Sequence, residues 1–182
     1  MMLSRSLFRE LLQTVALTLV IFLGVRAGVQ NFRVDGQSME PNLQNGEYIL
    51  VNKIDYMIQA PQRGDIIVFR AIPANEPDRD FVKRVIGLPG EKVAVHNGAV
   101  FINNRRLSEP YIRTPPDYTF PDSVVPPNNY FVLGDNRNNS MDSHMWRWLP
   151  REDIVGKAWI SYWPPASVQV FQASPSLLSA AG

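Results

Sequence analysis

Three short polar segments of the sequence carry side chains that could take part in catalysis. The first, residues 35–41 (DGQSMEP), places a glycine two positions before Ser38. A glycine lets the backbone approach a ligand closely, and a serine hydroxyl becomes a nucleophile once a base removes its proton. The same heptad also fits an ordinary turn serine, so both interpretations stay open at this point.

The second segment, residues 81–86 (FVKRVI), has the alternation of a β-strand. Because successive side chains of a strand point to opposite faces, Lys83 shares a face with Phe81 and Val85. A free lysine has a pKa of about 10.4, and burial among apolar groups lowers that pKa. Lys83 is therefore either a general base in an apolar site or an edge-strand lysine that reaches solvent along its stem.

The third segment, residues 134–143 (GDNRNNSMDS), directly follows the apolar run YFVL. Its single arginine stands among carboxylates and amides, which can organise a loop through an Asp–Arg pair and internal hydrogen bonds. A structural turn network is the alternative to a functional loop. The spacing lacks the glycine and the final glutamate of an EF-hand, so no metal site and no cofactor are predicted.

An apolar N-terminal stretch precedes these segments. Residues 11–32 are uncharged apart from Arg26 and span roughly 33 Å as a helix, enough for a bilayer core of about 30 Å. Arg5 and Arg9 favour a cytoplasmic N-terminus. We predict a cytoplasmic segment 1–10, a transmembrane anchor 11–32 and an extracytoplasmic remainder. A cleaved signal peptide or an amphipathic core helix are the alternatives.

The rest of the chain has the texture of β structure. Short apolar runs alternate with Gly, Pro and Asn-Gly turn signals, and residues 96–98 (HNG) between two such runs predict a hairpin. The predicted fold class is mainly β, with an antiparallel barrel or sandwich-like catalytic domain over residues 33–165 behind one N-terminal transmembrane helix. Residues 104–129, rich in Pro and Asn, are predicted as a surface excursion, and residues 166–182 as a loosely ordered tail.

The composition excludes several classes of function. A formal net charge of +1 does not favour a nucleic acid as partner, and the absence of cysteine rules out thiol nucleophiles and disulfides. The sequence has two histidines, His96 beside the predicted hairpin turn and His144. This scarcity argues against a Ser-His-Asp hydrolase.

Four motifs in a fixed order behind the anchor resemble those of type I signal peptidases. They are residues 38–43 (SMEPNL), 64–69 (GDIIVF), 83–91 (KRVIGLPGE) and 134–143 (GDNRNNSMDS), and the resemblance extends over residues 33–156. It implies a largely β enzyme, anchored in the bacterial plasma membrane or the thylakoid membrane, that cleaves signal peptides of preproteins after small residues. It also implies a monomer.

The resemblance assigns roles residue by residue. Ser38 is implied as nucleophile and Lys83 as its base, with Ser140 and Asp142 supporting this pair. Arg137 with Asp135 is expected to hold the third motif together.

Backbone N–H groups of Ser38 and Gly36 are the implied oxyanion hole, since Gly36 stands where some members have serine. The apolar residues implied to line shallow substrate subsites, with core packing as the alternative for each, are Phe32, Val34, Met39, Leu43, Ile49 and Val82. Asn138 replaces the usual aspartate, and His144 replaces the usual arginine.

Two rival classes share part of this pattern. The SOS-repressor autoproteases also combine a Ser–Lys pair with a β fold, but they lack a membrane span. A non-catalytic β module tethered to the membrane would keep the fold and would tolerate Ser38→Ala.

Overall fold

The computed structural model describes residues 5–70 and 80–171 of the chain. The first element is helix α1 (Arg5–Gly28). Its window Leu7–Gly24 has a mean hydropathy of 1.7, and none of that window is buried against the rest of the protein. The hydroxyls of Thr14 and Thr18 donate to carbonyls one turn earlier, which satisfies both within the helix. This helix is long and apolar enough to cross a bilayer.

The anchor helix ends earlier than the sequence predicts. Residues 29–32, assigned to the span, belong instead to a strand (Val29–Arg33) that pairs with Tyr48–Asn52. The helix stops at Gly28, where a Cβ would fall onto the side chain of Ile54. The first strand of the sheet therefore follows the anchor without a linker.

Twelve strands follow helix α1 within the described residues. They are β1 (Val29–Arg33), β2 (Tyr48–Asn52), β3 (Ile66–Arg70), β4 (Asp80–Gly87), β5 (Lys92–His96), β6 (Ala99–Ile102), β7 (Arg105–Arg106), β8 (Phe120–Val124), β9 (Asn129–Leu133), β10 (Leu149–Pro150), β11 (Ile154–Trp163) and β12 (Gln169–Val170). Two single α-helical turns, α2 (Asp55–Ile58) and α3 (Ser143–Trp146), and three short 3-10 turns also occur among the described residues, and none of them was predicted.

The strands form two antiparallel sheets. The larger has the order β1-β2-β11-β3-β4-β9-β10, with β12 pairing to β11, and the smaller has the order β7-β6-β5-β8. The predicted hairpin is present between β5 and β6, where Asn97 and Gly98 both have positive φ, as a two-residue type I′ turn requires. The predicted fold class, mainly antiparallel β behind an apolar N-terminal helix, is confirmed.

The 104–129 segment is not a plain surface excursion. It supplies strands β7 and β8 to the smaller sheet, and it buries Leu107, Phe120 and Val125 in the same apolar cluster as Phe131. The prediction was wrong because the segment is mostly proline and polar residues, and its three core residues are too widely spaced to form an apolar run. The segment is a structural part of the domain.

The predicted loose tail falls largely outside the described residues. Residues 172–182 lie outside the described part of the chain, whereas residues 166–171 return to the larger sheet. There Gln169 and Val170 pair with β11, and Phe171 N–H donates to Trp159 O at 2.8 Å. The beginning of this segment is therefore ordered by strand pairing.

Candidate active site

Ser38 and Lys83 are brought together from two distant parts of the chain. Ser38 lies in the turn that follows β1, and Lys83 lies in the middle of β4. Lys83 Nζ is 2.7 Å from Ser38 Oγ and also donates to Val82 O at 3.0 Å. The amine is thus held between one hydroxyl and one carbonyl, in hydrogen-bond reach of the serine.

The environment of Lys83 shifts its protonation equilibrium towards the neutral amine. The residue is 3% exposed, and the ring of Phe81 lies 5.6 Å from Nζ. Burial lowers the pKa of Lys83 to about 8, although the charges of Asp142 and Asp135 act in the opposite direction. No carboxylate in the described part of the chain forms an ion pair with Nζ. A neutral lysine beside a hydroxyl can accept the hydroxyl proton.

An open cleft of about 500 Å³ exposes this pair. One wall is the turn around Ser38, and another is formed by Phe81, Asn139 and Met141. Pairing with β9 begins at Arg84, so among the described strands the first half of β4 has an unpaired edge beside Lys83. Such an edge can accept an extended peptide as an additional strand.

The backbone near Ser38 offers one free donor rather than two. Gly36 N–H donates to Asn45 Oδ1 at 3.0 Å, whereas Ser38 N–H has no partner among the described residues. The expectation that Gly36 N–H belongs to an oxyanion hole is therefore corrected. Gly36, at φ +93°, instead forms the turn that Asn45 secures.

The third motif packs directly against the turn of Ser38. We call residues 134–144 the polar loop. Asn136 N–H donates to Ser38 O at 3.0 Å, and its side-chain amide donates to Gln37 O at 3.1 Å. A Cβ on Gly134 would overlap Ser38 O and the Ser140 side chain, so only glycine permits this approach. The loop thereby fixes the backbone of Ser38.

Ser140 and Asp142 lie in the polar loop but do not hydrogen-bond to Lys83. Asp142 is fully buried and accepts the Gly134 N–H at 2.9 Å and the His144 N–H at 3.2 Å. The buried Ser140 hydroxyl has no hydrogen-bond partner within the described part of the structure. Asp142 therefore acts on Lys83 through its charge, and Ser140 remains a free hydroxyl beside Gly134.

The expected Arg137–Asp135 pair is wrong. Asp135 instead accepts two hydrogen bonds from Arg84, at 2.7 and 2.6 Å. Arg137 makes a similar bidentate pair with Glu109, at 2.8 and 2.6 Å. The physical reason is that strand alternation places Arg84 on the face of β4 opposite Lys83, where its guanidinium meets Asp135, while the guanidinium of Arg137 meets Glu109 of the 104–129 segment.

Sequence reasoning missed the residues that complete this network. The ring of Tyr111 lies 4.2 Å from the Arg84 guanidinium and 5.8 Å from that of Arg137. The Asn42 amide donates both to Tyr111 O at 2.7 Å and to Asp135 Oδ2 at 2.8 Å. Strand alternation places Arg84 opposite Lys83, which was a usable signal, but nothing local marks Glu109 or Tyr111 as its neighbours.

Asn138 and His144, the two residues that depart from the family motif, both contact the 104–129 segment. Asn138 accepts the Asp117 N–H at 2.9 Å and donates to Pro115 O at 3.1 Å. An amide can do both, whereas the usual aspartate, as a carboxylate, has no proton to donate. The ring of His144 stacks on Tyr118 with centroids 4.0 Å apart. Asparagine and histidine therefore fit this particular segment.

The six expected subsite residues lie in one apolar cluster beneath the Ser38 turn. Val34, Met39, Leu43 and Ile49 are buried in it, whereas Phe32 and Val82 pack at its edge and remain partly exposed. The four buried residues have the surroundings of core side chains, which was the alternative for each of them. Phe32 and Val82 retain surface that a ligand could contact.

Comparison with known proteins now identifies the family. The family model for signal peptidase, peptidase S26, matches residues 7–163 of the chain. Signal peptidase I of Leptolyngbya laminosa is 45% identical over 161 residues, covering 85% of this chain and 79% of that protein. Signal peptidase I of Bacillus caldolyticus is 40% identical over 148 residues, covering 74% of this chain and 79% of that protein.

Two further matches are a plant protein and a solved structure. Thylakoidal processing peptidase 1 of Arabidopsis thaliana is 36% identical over 143 residues, covering 74% of this chain and 42% of that protein. A crystal structure of a signal peptidase I from Enterococcus faecalis is 32% identical, with a TM-score of 0.44, and covers 55% of this chain and 97% of that chain.

The chain therefore belongs to the signal peptidase family, peptidase S26. The resemblance drawn from the four motifs is confirmed. The chain is a serine peptidase, and the reaction of its family is the removal of signal peptides.

Proposed function

We propose that this chain is a membrane-bound endopeptidase that removes N-terminal signal peptides from exported preproteins after small residues, with Ser38 as nucleophile and Lys83 as general base. The observation that carries the proposal is the 2.7 Å distance between Lys83 Nζ and Ser38 Oγ inside an apolar site. The low exposure of Lys83 supports the role, because a base must be neutral before it can accept a proton.

The proposed reaction has two steps. The neutral amine of Lys83 takes the proton of Ser38 as Oγ attacks the carbonyl carbon of the scissile bond, and the same proton then passes to the departing amine. An ester between Ser38 and the signal peptide remains. A water molecule gives a proton to Lys83 and attacks this ester, which releases the signal peptide and restores the hydroxyl.

The negative charge that forms on the carbonyl oxygen requires a donor. We assign this donor to the Ser38 N–H, which lies free of other partners in the described structure. One preorganised donor of this kind is worth about 3–4 kcal/mol of transition-state stabilisation. Ser140 and Asp142 support the pair from the polar loop. Ser140 is a nearby hydroxyl, and the charge of Asp142 stabilises the ammonium that Lys83 becomes once it has taken the proton.

Selection of small residues is assigned to the shallow surface beside the cleft. Phe32 and Val82 are partly exposed at the edge of the buried cluster that contains Val34 and Met39. A pocket whose floor is a packed core cannot deepen, so a bulky side chain of a substrate would clash. The unpaired edge of β4 is suited to an extended substrate.

The membrane brings enzyme and substrate together in this proposal. Helix α1 spans the bilayer with its N-terminus in the cytoplasm, and the β domain lies on the other side. Since β1 begins at Val29, directly after the helix, the Ser38 turn is tethered close to the bilayer surface. The membrane is the bacterial plasma membrane or the thylakoid membrane, and the active form is a monomer.

Cleavage of a preprotein by the purified full-length protein in detergent tests this proposal. We expect Ser38→Ala and Lys83→Ala each to lower kcat/KM by orders of magnitude while leaving the thermal unfolding transition in place. Lys92→Ala is the matched control, because Lys92 also lies on a strand but pairs with the exposed Asp122.

Mass spectrometry of the products identifies the residue before the cut. Near-normal cleavage by Lys83→Ala would remove the assigned base, and cleavage after bulky residues would contradict the assigned specificity. Full function of Ser38→Ala in cells depleted of the enzyme would favour a non-catalytic membrane module.

A further inference from the structure

His144 joins the 104–129 segment to the buried carboxylate of the polar loop. Its Nδ1 lies 2.7 Å from Asp142 Oδ1, and its ring stacks on Tyr118 at an interplanar angle of 18°. The other oxygen of Asp142 accepts the Gly134 N–H. A single imidazole ring therefore contacts both the supporting segment and the carboxylate.

The imidazole contact is additional to the backbone cap of α3. Asp142 is the N-cap of this short helix, and it accepts the His144 N–H with the same oxygen that faces Nδ1. Loss of the imidazole would leave that backbone contact in place. The side chain of His144 is thus not required for the cap itself.

Asp142 in turn acts on the amine of Lys83. Its negative charge raises the pKa of Lys83, against the stronger effect of burial. A donor on Asp142, and above all a positively charged one, offsets part of that negative charge. The charge and the donor capacity of the side chain at position 144 should therefore affect the pKa of Lys83.

We propose that His144 is a positioning residue for the base: stacked on Tyr118, it holds the Asp142 carboxylate and moderates the charge that this carboxylate exerts on Lys83. The inference rests on the proposed roles of Ser38 and Lys83. It assigns to the 104–129 segment, through Tyr118, a part in tuning the site.

The groups around His144 leave Asp142 as its direct counter-charge. Asp142 lies against the His144 ring, and the charged groups that act on its stacking partner Tyr118 are Asp142, Arg137, Glu109 and Asp117. Glu109 and Arg137 pair with each other. Asp135, the other carboxylate that acts on Lys83, is paired with Arg84.

The pH profile of kcat/KM for preprotein cleavage tests this role. His144→Phe keeps a ring on Tyr118 but removes the donor to Asp142. We expect the midpoint of the acid limb to rise by about half a pH unit or more, which is roughly a threefold loss of activity below the limb, with little change on the plateau. His144→Arg, with a permanent charge, should bring the midpoint to the wild-type value or below it.

His96→Phe is the matched control. His96 is exposed, lies in the β5–β6 hairpin and stacks on Phe101 with centroids 4.1 Å apart, so the same substitution there alters a stacked histidine away from the site. Its pH profile should equal that of the wild type. The midpoint depends on the shape of the profile and not on its height, so a reduced folded fraction does not obscure it.

Two outcomes separate this inference from the proposed function. If His144→Phe and His144→Arg both show the wild-type midpoint while Lys83→Ala is inactive, the role of His144 is wrong and the Ser38–Lys83 assignment stands. If Lys83→Ala is active, both the role of His144 and the Ser38–Lys83 assignment are wrong.

Discussion

Lys83 and Arg84 are adjacent basic residues on β4 whose pKa values are shifted in opposite directions. Both are buried, with 3% and 9% of their surface exposed. Burial alone lowers the pKa of each, but the hydrogen bonds and charge of Asp135 outweigh it for Arg84, whose pKa is raised. Lys83 has no such ion pair with any described residue, and its pKa is lowered to about 8.

The difference shows that the partner, and not burial, decides the direction in which the pKa of each residue is shifted. The bidentate Arg84–Asp135 pair joins β4 to the polar loop, and Arg137–Glu109 joins the same loop to the 104–129 segment. The amine of Lys83 instead faces Ser38 Oγ and one carbonyl. Both guanidinium groups therefore hold the polar loop through ion pairs, whereas the Lys83 amine has no carboxylate partner among the described residues.

The largest expected effect comes from making residue 83 resemble residue 84. Lys83→Arg keeps a long cationic side chain, but a guanidinium does not lose its proton in a protein. We expect kcat/KM to fall by about 10²- to 10⁴-fold, the usual contribution of a general base. Single-turnover cleavage of a preprotein would measure it.

Lys92→Arg, on strand β5, is the control for this substitution and should cleave at the wild-type rate. Activity of Lys83→Arg within a few-fold of wild type would show that deprotonation at position 83 is not needed.

The next largest effect comes from removing the partner of Arg84. Asp135→Asn leaves a buried guanidinium without its counter-charge, and we expect a loss of about 3–5 kcal/mol in the free energy of unfolding. Urea unfolding of the full chain in detergent would measure this loss. Asp122→Asn removes the exposed Lys92–Asp122 pair and should cost about 1 kcal/mol or less. Equal losses for the two variants would contradict the distinction between paired buried cations and surface pairs.

The smallest effect is a gain in stability at the site itself. The pKa of Lys83 is about 8 in the folded protein, below its ordinary value of 10.5. Between about pH 8 and pH 10.5 the unfolded chain therefore binds more protons than the folded protein, and the free energy of unfolding of the wild type rises with pH. Below about pH 8 the full penalty, about 3 kcal/mol at most, is present. Lys83→Met should therefore be more stable than wild type at pH 7.

Unfolding free energies at several pH values would check this sign. The advantage of Lys83→Met should shrink from about pH 8 upwards and vanish above about pH 10.5, whereas Arg84→Met should be destabilised at every pH. A Lys83→Met variant less stable than wild type at pH 7 would show that the charged amine is not penalised by burial.

Much of the fold follows from local patterns. The apolar run predicts helix α1, the Asn97-Gly98 turn predicts the β5–β6 hairpin, and the alternation of residues 81–86 places Lys83 and Arg84 on opposite faces. These features depend on the nearest neighbours in the chain, and so they can be recognised from short windows. The end of α1 was misplaced by four residues because Val29 and Phe32 are as apolar as a membrane helix requires.

The pairing of distant charges could not be predicted in the same way. Arg137 has an acidic residue two positions away, Asp135, yet it pairs with Glu109, 28 positions away. Asp135 turns instead to Arg84, 51 positions away. Local proximity favoured the wrong partner because the direction of each side chain depends on how the two sheets pack.

The sequence by itself determined the order of the four motifs, the apolar helix ahead of them and the residue types at positions 38 and 83. Only the tertiary structure decided that Lys83 Nζ lies against Ser38 Oγ with no carboxylate partner in residues 5–70 and 80–171, and that the 104–129 segment supports the polar loop through Glu109, Pro115 and Tyr118. The physical reason is that burial and charge pairing are properties of three-dimensional neighbours, and the neighbours that matter here are between 23 and 99 positions apart in the chain.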